Sequence, residues 1–273
     1  LGDVREGGVS MTDEAASTPL LTLRSISKTY AARDGEPVEA LKDVSCTIRA
    51  GEFVSILGPS GCGKSTLMSI IAGLLPPTSG IAEFAPAWQT SRLPNFGIVF
   101  QDPVLFPWRD VKANVALPGE VTGLSREERE RRVRALLQTV GLTGFELKYP
   151  HELSGGMQQR VAIARALILA PPLLLMDEPF GALDALTREQ MNLEIARISL
   201  ESKTTVIFVT HSIAEAAFLS DRVFVMTGRP ASLRDAVTID LPRPRALELM
   251  ASDRFGVYVS RLRKMLDVSR DLS

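Results

Sequence analysis

Two cysteines, Cys46 and Cys62, are all that the 273 residues contain. A disulfide framework needs more of them, in pairs, so a small oxidised scaffold is excluded and a reduced, cytosolic compartment is the simpler reading. Charge of one sign is also missing: 31 lysines and arginines meet 32 acids, for a net charge of −1. That balance gives no overall drive toward nucleic acid or an acidic membrane surface. No apolar run is long enough to cross a bilayer, which takes about 20 mostly apolar residues. The best stretch, VAIARALILAPPLLLM from Val161 to Met176, is broken by Arg165 and by Pro171-Pro172. There is no internal repeat and no low-complexity tract. Residues 1–19 are polar and acidic, unlike a secretory signal, and read as a disordered leader. Met11 and Leu1 both stand as the native start.

What is present is globular: 45% hydrophobic and 23% charged residues, ample for one large domain or a domain with an inserted subdomain. LLTLRSISKTY and DVSCTIRA alternate apolar and polar positions, as half-buried antiparallel strands do. EFVSILG, FGIVFQ, LLLMD, TTVIFVTH and RVFVMT are dense apolar runs, the pattern of strands buried on both faces. TSG at Thr78 to Gly80 has turn chemistry. Between the second and third of these runs the texture is helical, from about Asp110 to Ala170. Ser125 with Glu128, and Ser212 with Glu215, predict capping boxes. The arginines at 129, 131, 132 and 134 are matched by Glu127, Glu128 and Glu130, which predicts a solvated helix face rather than a nucleic-acid surface.

The chemistry concentrates in a few stretches. GPSGCGKST, Gly58 to Thr66, lies between a buried strand and a helix. Its loop residues Gly58, Pro59, Ser60, Gly61, Cys62 and Gly63 let backbone N–H groups wrap phosphates, Lys64 reaches the terminal phosphates, and the Ser65 hydroxyl ligates Mg²⁺. Cys62, beside Lys64 at a helix start, is expected to favour the thiolate and to react with maleimide. LLLMDEP ends a strand on two acids: Asp177 is placed to hold Mg²⁺ and Glu178 to polarise the attacking water. His211 and Gln101 also end apolar strands, where they converge on the same crevice. His211 is then either structural or a γ-phosphate sensor, and Gln101 is within reach of Mg²⁺ and the water. HELSGGMQQRVAIARAL opens a helix on Ser154, Gly155 and Gly156, an anion-binding start that has no lysine of its own. Met157, Val161, Ala164 and Ile168 form the stripe that docks this helix.

In this order the phosphate loop, Gln101, LSGGMQQR at 153–160, LLLMDEP, GALD at 181–184 and His211 resemble the ATP-binding subunit of an ABC transporter, over about 20–266. The resemblance implies an α/β fold. It comprises a P-loop ATPase core, mainly a parallel sheet with an antiparallel β subdomain, and an inserted α-helical signature subdomain at about 102–169. Residues 267–273 are left as a tail. It implies ATP as the nucleotide, Tyr30 as the residue stacking on adenine, and a head-to-tail pair in which Ser154, Gly155 and Gly156 complete the partner copy's site. It further implies integral membrane permease subunits, indirectly a solute-binding protein, no nucleic acid, and a place on the cytoplasmic face of the membrane.

VFQDPVLFPWRDVKANVALP and THSIAEAAFLSDRVFVMTGRPASL resemble importers of nitrate, sulfonates and taurine. Phe106, Pro107 and Trp108 are either a permease contact, as in that family, or ordinary core of the helical subdomain. Segment 80–95 departs from the family's strand-and-turn pattern, so its strands are expected to be short or altered. A mechanical ABC ATPase of DNA repair or translation is the alternative. It is disfavoured by the short interval between phosphate loop and signature and by the single cassette. A kinase or GTPase leaves LSGGMQQR unexplained.

Overall fold

The structure, a computed structural model, describes residues 19–31, 35–88 and 96–267. The expected leader lies outside them except for Pro19, which opens the first strand, and the expected tail except for Asp267. Two sheets form. β1 (Pro19–Tyr30), β2 (Val38–Arg49) and β4 (Ser79–Phe84) make an antiparallel sheet in the order β2-β1-β4. The larger sheet runs β5-β6-β7-β3-β8-β9. Its members are β5 (Phe96–Val99), β6 (Leu173–Asp177), β7 (Thr205–Thr210), β3 (Phe53–Leu57), β8 (Arg222–Thr227) and β9 (Ser232–Thr238). Its first five strands are parallel, and β9 runs antiparallel to β8.

Strand alternation sends neighbouring residues to opposite layers. Val54, Ile56, Leu173, Leu175, Ile207 and Val209 pack against the antiparallel sheet and α1 (Lys64–Ile71). Phe53, Leu57, Leu174, Met176, Val206 and Phe208 pack against helices on the other face. Arg222 joins the two sheets: it pairs with Glu52 at 3.0 Å and donates to the Thr47 carbonyl.

The helical insert falls between β5 and β6, as the sequence indicates: α2 (Val111–Val121), α3 (Arg126–Thr139) and α4 (Gly155–Leu167). Asp110 caps α2 by accepting from Ala113 N–H at 2.7 Å. Buried Asn114 accepts from Phe106 N–H and donates to the carbonyls of Phe106, Arg109 and Asp110, so the 106–110 turn is closed by one side chain. Val161, Ala164 and Ile168 of the expected stripe are buried, and Met157 packs at its edge. Three further helices follow: α5 (Ala185–Ser202), α6 (Ile213–Leu219) and α7 (Asp253–Asp267).

Several expectations need correction. Ser79 and Gly80 are in β4 rather than a turn. Gly80 has φ +87 and lies against β1, where a Cβ would clash with the Ser25 carbonyl oxygen, so the glycine serves a close crossing. The altered 80–95 segment contains this strand and a short turn of helix at Pro86–Trp88; residues 89–95 lie outside the described ones. Only half of each capping box forms. Ser125 and Ser212 accept the expected N–H groups. The Glu128 carboxylate turns instead to Arg131 and Arg132, which hold it down at about 2, and Glu215 takes the Thr210 hydroxyl. Arg131 and Arg132 are thus paired with an acid at the surface, in keeping with the charge balance, while Arg129 donates to the Leu124 carbonyl.

Buried Arg245 closes the C-terminal part of the fold. It donates to the carbonyls of Ala217, Phe218, Ser220, Ile239 and Leu241, satisfying the end of α6. Burial, with Arg243 alongside, pushes its guanidinium down to about 10. Arg245→Met should cost on the order of 3 kcal/mol, because it orphans several buried acceptors. Urea unfolding at constant m checks this, and a loss below about 1 kcal/mol would contradict it.

Candidate functional site

The carboxyl ends of β3, β5, β6 and β7 point to one edge of the parallel sheet, where α/β folds bind ligands. β3 runs into the glycine loop and α1 begins at Lys64. Gly63 precedes it at φ +102, a left-handed turn that a side chain resists, and it packs against the Ala40 carbonyl and Leu41. A cleft of about 480 Å³ opens here, lined by Ser60 to Thr66, Gln101, Glu178 and Arg229, with Val38 to Ala40 of β2.

Lys64 is 3% exposed. Its Nζ donates to the carbonyls of Gly58 at 3.0 Å and Pro59 at 2.9 Å and lies 3.3 Å from Glu178 Oε1. The other Glu178 oxygen, Oε2, is 2.8 Å from His211 Nδ1. Glu178 has φ +43, a region that costs a non-glycine residue about 1–2 kcal/mol. The Glu178 N–H still bonds to the Val209 carbonyl at 2.9 Å, so the turn is anchored on β7 while the carboxylate faces the phosphate loop. Such strain held in place by neighbours is a mark of functional sites.

Asp177 is buried at the end of β6. Burial raises its pKa, the Ser65 hydroxyl counters this, and the charge of Glu178 raises it again. Its Oδ1 has no hydrogen-bond partner among the described residues. A buried carboxylate oxygen without a donor, next to a serine hydroxyl, is a donor set that fits Mg²⁺ and its water shell.

Gln101, exposed two residues past β5, lines the cleft. Tyr30 is at its margin: the hydroxyl is 3.3 Å from Thr66 Oγ1, the ring carries Lys28 Nζ at 5.5 Å, and it does not line the cleft. Ser154, Gly155 and Gly156 are not brought to this cleft at all. They open α4, with Ser154 and Gly155 exposed and the Ser154 hydroxyl accepting from Met157 N–H at 3.3 Å. Pro107 and Trp108 are exposed and Phe106 half-buried against Trp108, with ring centroids 5.2 Å apart, so this aromatic patch faces outward rather than forming core.

Three residues escaped the sequence reading. Arg229, at the β8–β9 turn, puts its Nη2 3.0 Å from the position of a Cβ on Gly61. Gln159 of α4 donates to the Phe100 carbonyl at 3.0 Å, and Arg165 to those of Val104 and Pro103 at 2.8 and 2.9 Å. The signature helix therefore grips the backbone on both sides of Gln101. Only the run GRPASL marked Arg229, and nothing local marks the other two.

The ABC transporter family model matches residues 41–181. The chain belongs to this family. An ABC transporter ATP-binding protein of Methanocaldococcus jannaschii is 44% identical over 87% of this chain and 87% of its own length. The nitrate import ATP-binding protein NrtC of Synechococcus elongatus is 45% identical over 86% of this chain but 36% of its own. The taurine import ATP-binding protein TauB of Roseobacter denitrificans is 45% identical over 78% of this chain and 80% of its own. Among solved structures, a dimeric ATP-binding cassette in a post-hydrolysis state bound to ADP and Pi has a TM-score of 0.73 at 35% identity. It covers 82% of this chain and 100% of that one. The chain is an ATP-binding transporter subunit and an ATPase, and the expected fold class is the one found. No helix among the described residues is long and apolar enough to cross a membrane.

The expected reactivity of Cys62 is reversed by its surroundings. The thiol is 4% exposed, and burial raises its pKa against the opposing pull of Lys64. Cys62 should therefore stay unlabelled by maleimide in the folded chain and label in urea, read by intact-mass spectrometry. Rapid labelling of the native protein at Cys62 would show that the loop opens far more than this packing allows.

Proposed function

We propose that the chain powers import of a small solute of the nitrate, sulfonate or taurine kind. ATP closes two copies head to tail, and hydrolysis releases them. The observation that carries this reading is the position of the signature turn. Ser154 to Gly156 form an anion-binding helix start that is exposed and absent from the cleft of their own phosphate loop, so a second copy's nucleotide is the natural ligand. The dimeric form of the structural neighbour and the names of the nitrate and taurine relatives support it.

In this scheme the loop amides and Lys64 hold the β- and γ-phosphates, and Tyr30 borders the adenine end. Ser65, Asp177 and Gln101 would hold Mg²⁺, which neutralises phosphate charge when bound. Glu178 accepts a proton from the attacking water, with His211 fixing its second oxygen. The outward patch of Phe106, Pro107 and Trp108 contacts a membrane permease, which seats the subunit on the cytoplasmic face and links it to a solute-binding protein.

Lys64→Ala should weaken ATP binding, whereas Glu178→Gln should bind ATP, cease turnover and accumulate as an ATP-bound dimer in gel filtration. Near-normal hydrolysis by the glutamine variant would remove Glu178 from its role. Mixing tests the pairing itself. Lys64→Ala spoils the loop side and Ser154→Arg the signature side, so each homodimer is inactive. Random mixing gives about half mixed dimers with one intact site of two, returning roughly a quarter of wild-type sites. Nucleotide occlusion should recover on mixing; if the signature acted within its own chain, nothing would recover.

A further inference from the structure

Glu215 is a partly buried acid, its side chain 11% exposed, that the scheme above does not use. It lies on α6, just after His211, and its Oε2 accepts from the Thr210 hydroxyl at 2.7 Å. The same hydroxyl oxygen accepts from Ser212 N–H at 2.9 Å, so Glu215 is tied to the backbone on both sides of His211. Its other oxygen faces Arg188 Nε of α5 at 3.9 Å. Arg188 in turn donates to the carbonyls of Phe180 at 3.3 Å and Leu183 at 2.8 Å. These close the turn that follows Glu178. On the far side of that turn sits the signature: a Cβ on Gly156 would meet the Ala182 oxygen at 3.2 Å and Leu183 Cδ2 at 3.3 Å. One line of contacts thus runs from the residues flanking His211, through Glu215 and Arg188, to the face on which Gly156 rests.

We propose that Arg188, oriented by Glu215, is a positioning residue: it sets the 180–183 turn and so the pose in which the signature of this chain meets the partner's nucleotide. The inference rests on the two-subunit reading above. The chemistry favours arginine. Its planar fork serves two carbonyls three residues apart while keeping a face toward a carboxylate; a lysine ammonium is a single point and cannot hold that geometry. The partly buried carboxylate of Glu215 supplies the opposite charge that fixes the guanidinium on this side of the turn.

The test uses the full chain in the Glu178→Gln background, adding Arg188→Ala, Arg188→Lys or Glu215→Ala. Fluorescent-nucleotide titration reads the chain's own phosphate loop, gel filtration with ATP reads pairing, and thermal melting reads the fold. All three variants should bind nucleotide within about twofold of the parent and melt close to it. Pairing should weaken roughly tenfold or more, the scale of one charge-assisted hydrogen bond, with no rescue by lysine. Variants that pair as the parent does would overturn the inference alone. Variants that lose nucleotide binding and melting temperature in step with pairing would also overturn it, by making Arg188 a residue of the fold. A parent that does not pair with ATP would overturn the two-subunit reading and this inference with it.

Discussion

The Glu178 carboxylate meets Lys64 through one oxygen and His211 through the other, and this shared carboxylate fixes how the site is built. Lys64 begins the helix after β3, Glu178 follows β6, and His211 follows β7. The three adjacent strand ends are therefore in register only if the parallel sheet is. The parallel pairs β3–β7 and β6–β7 deliver that register, Leu57 beside Thr210 and Asp177 beside Val209. The strain at Glu178 φ +43 is sustained because its N–H is bonded to β7 while both carboxylate oxygens have partners. A slip of one residue in any of these strands would turn the side chains to the wrong face and separate the three groups.

The helical insert depends on the same edge of the sheet by a different route. It leaves after β5, and α4 returns to grip that exit through Gln159 and Arg165. Gln101 is thus held between the sheet that carries the phosphate loop and the helix that carries the signature. The outward Trp108 lies a few residues further along the same stretch, pinned through Asn114. Gln159 and Arg165 thus couple the insert to the backbone on both sides of Gln101. That gives the proposed permease contact a mechanical path to the nucleotide cleft, through backbone hydrogen bonds rather than a mobile loop.

Local spacing made the phosphate loop, the acidic pair, the signature turn and the strand-end residues legible in the sequence, because each is a short run whose neighbours in the chain are its neighbours in space. What stayed hidden depends on distant partners. Gly80 looks like a turn residue until β1 is laid across it. Cys62 looks activated by Lys64 until the wall at Met226 and the burial of its sulfur are added. Glu128 and Glu215 fit capping boxes by spacing, yet arginines in one case and a threonine hydroxyl in the other compete for their carboxylates. Arg229 enters the cleft only because β8 lies beside β3, a pairing between residues far apart in sequence. The edge strand β9, mostly exposed, has no dense apolar run to announce it.

The lysine contacts also bear on when Glu178 can act. Glu178 is ion-paired with Lys64, and the pair must loosen if Lys64 is to reach a bound phosphate. Lys64 is held by the Gly58 and Pro59 carbonyls as well as by Glu178, all within 3.3 Å. On the proposed assignment, the terminal phosphates of ATP compete for the same Nζ with a larger negative charge. A lysine drawn toward phosphate would leave Glu178 with His211 as its principal partner. On that assignment the partners of Glu178 change when phosphate binds, and Lys64 would serve both as a ligand of the nucleotide and as a partner of the carboxylate proposed to take the water's proton.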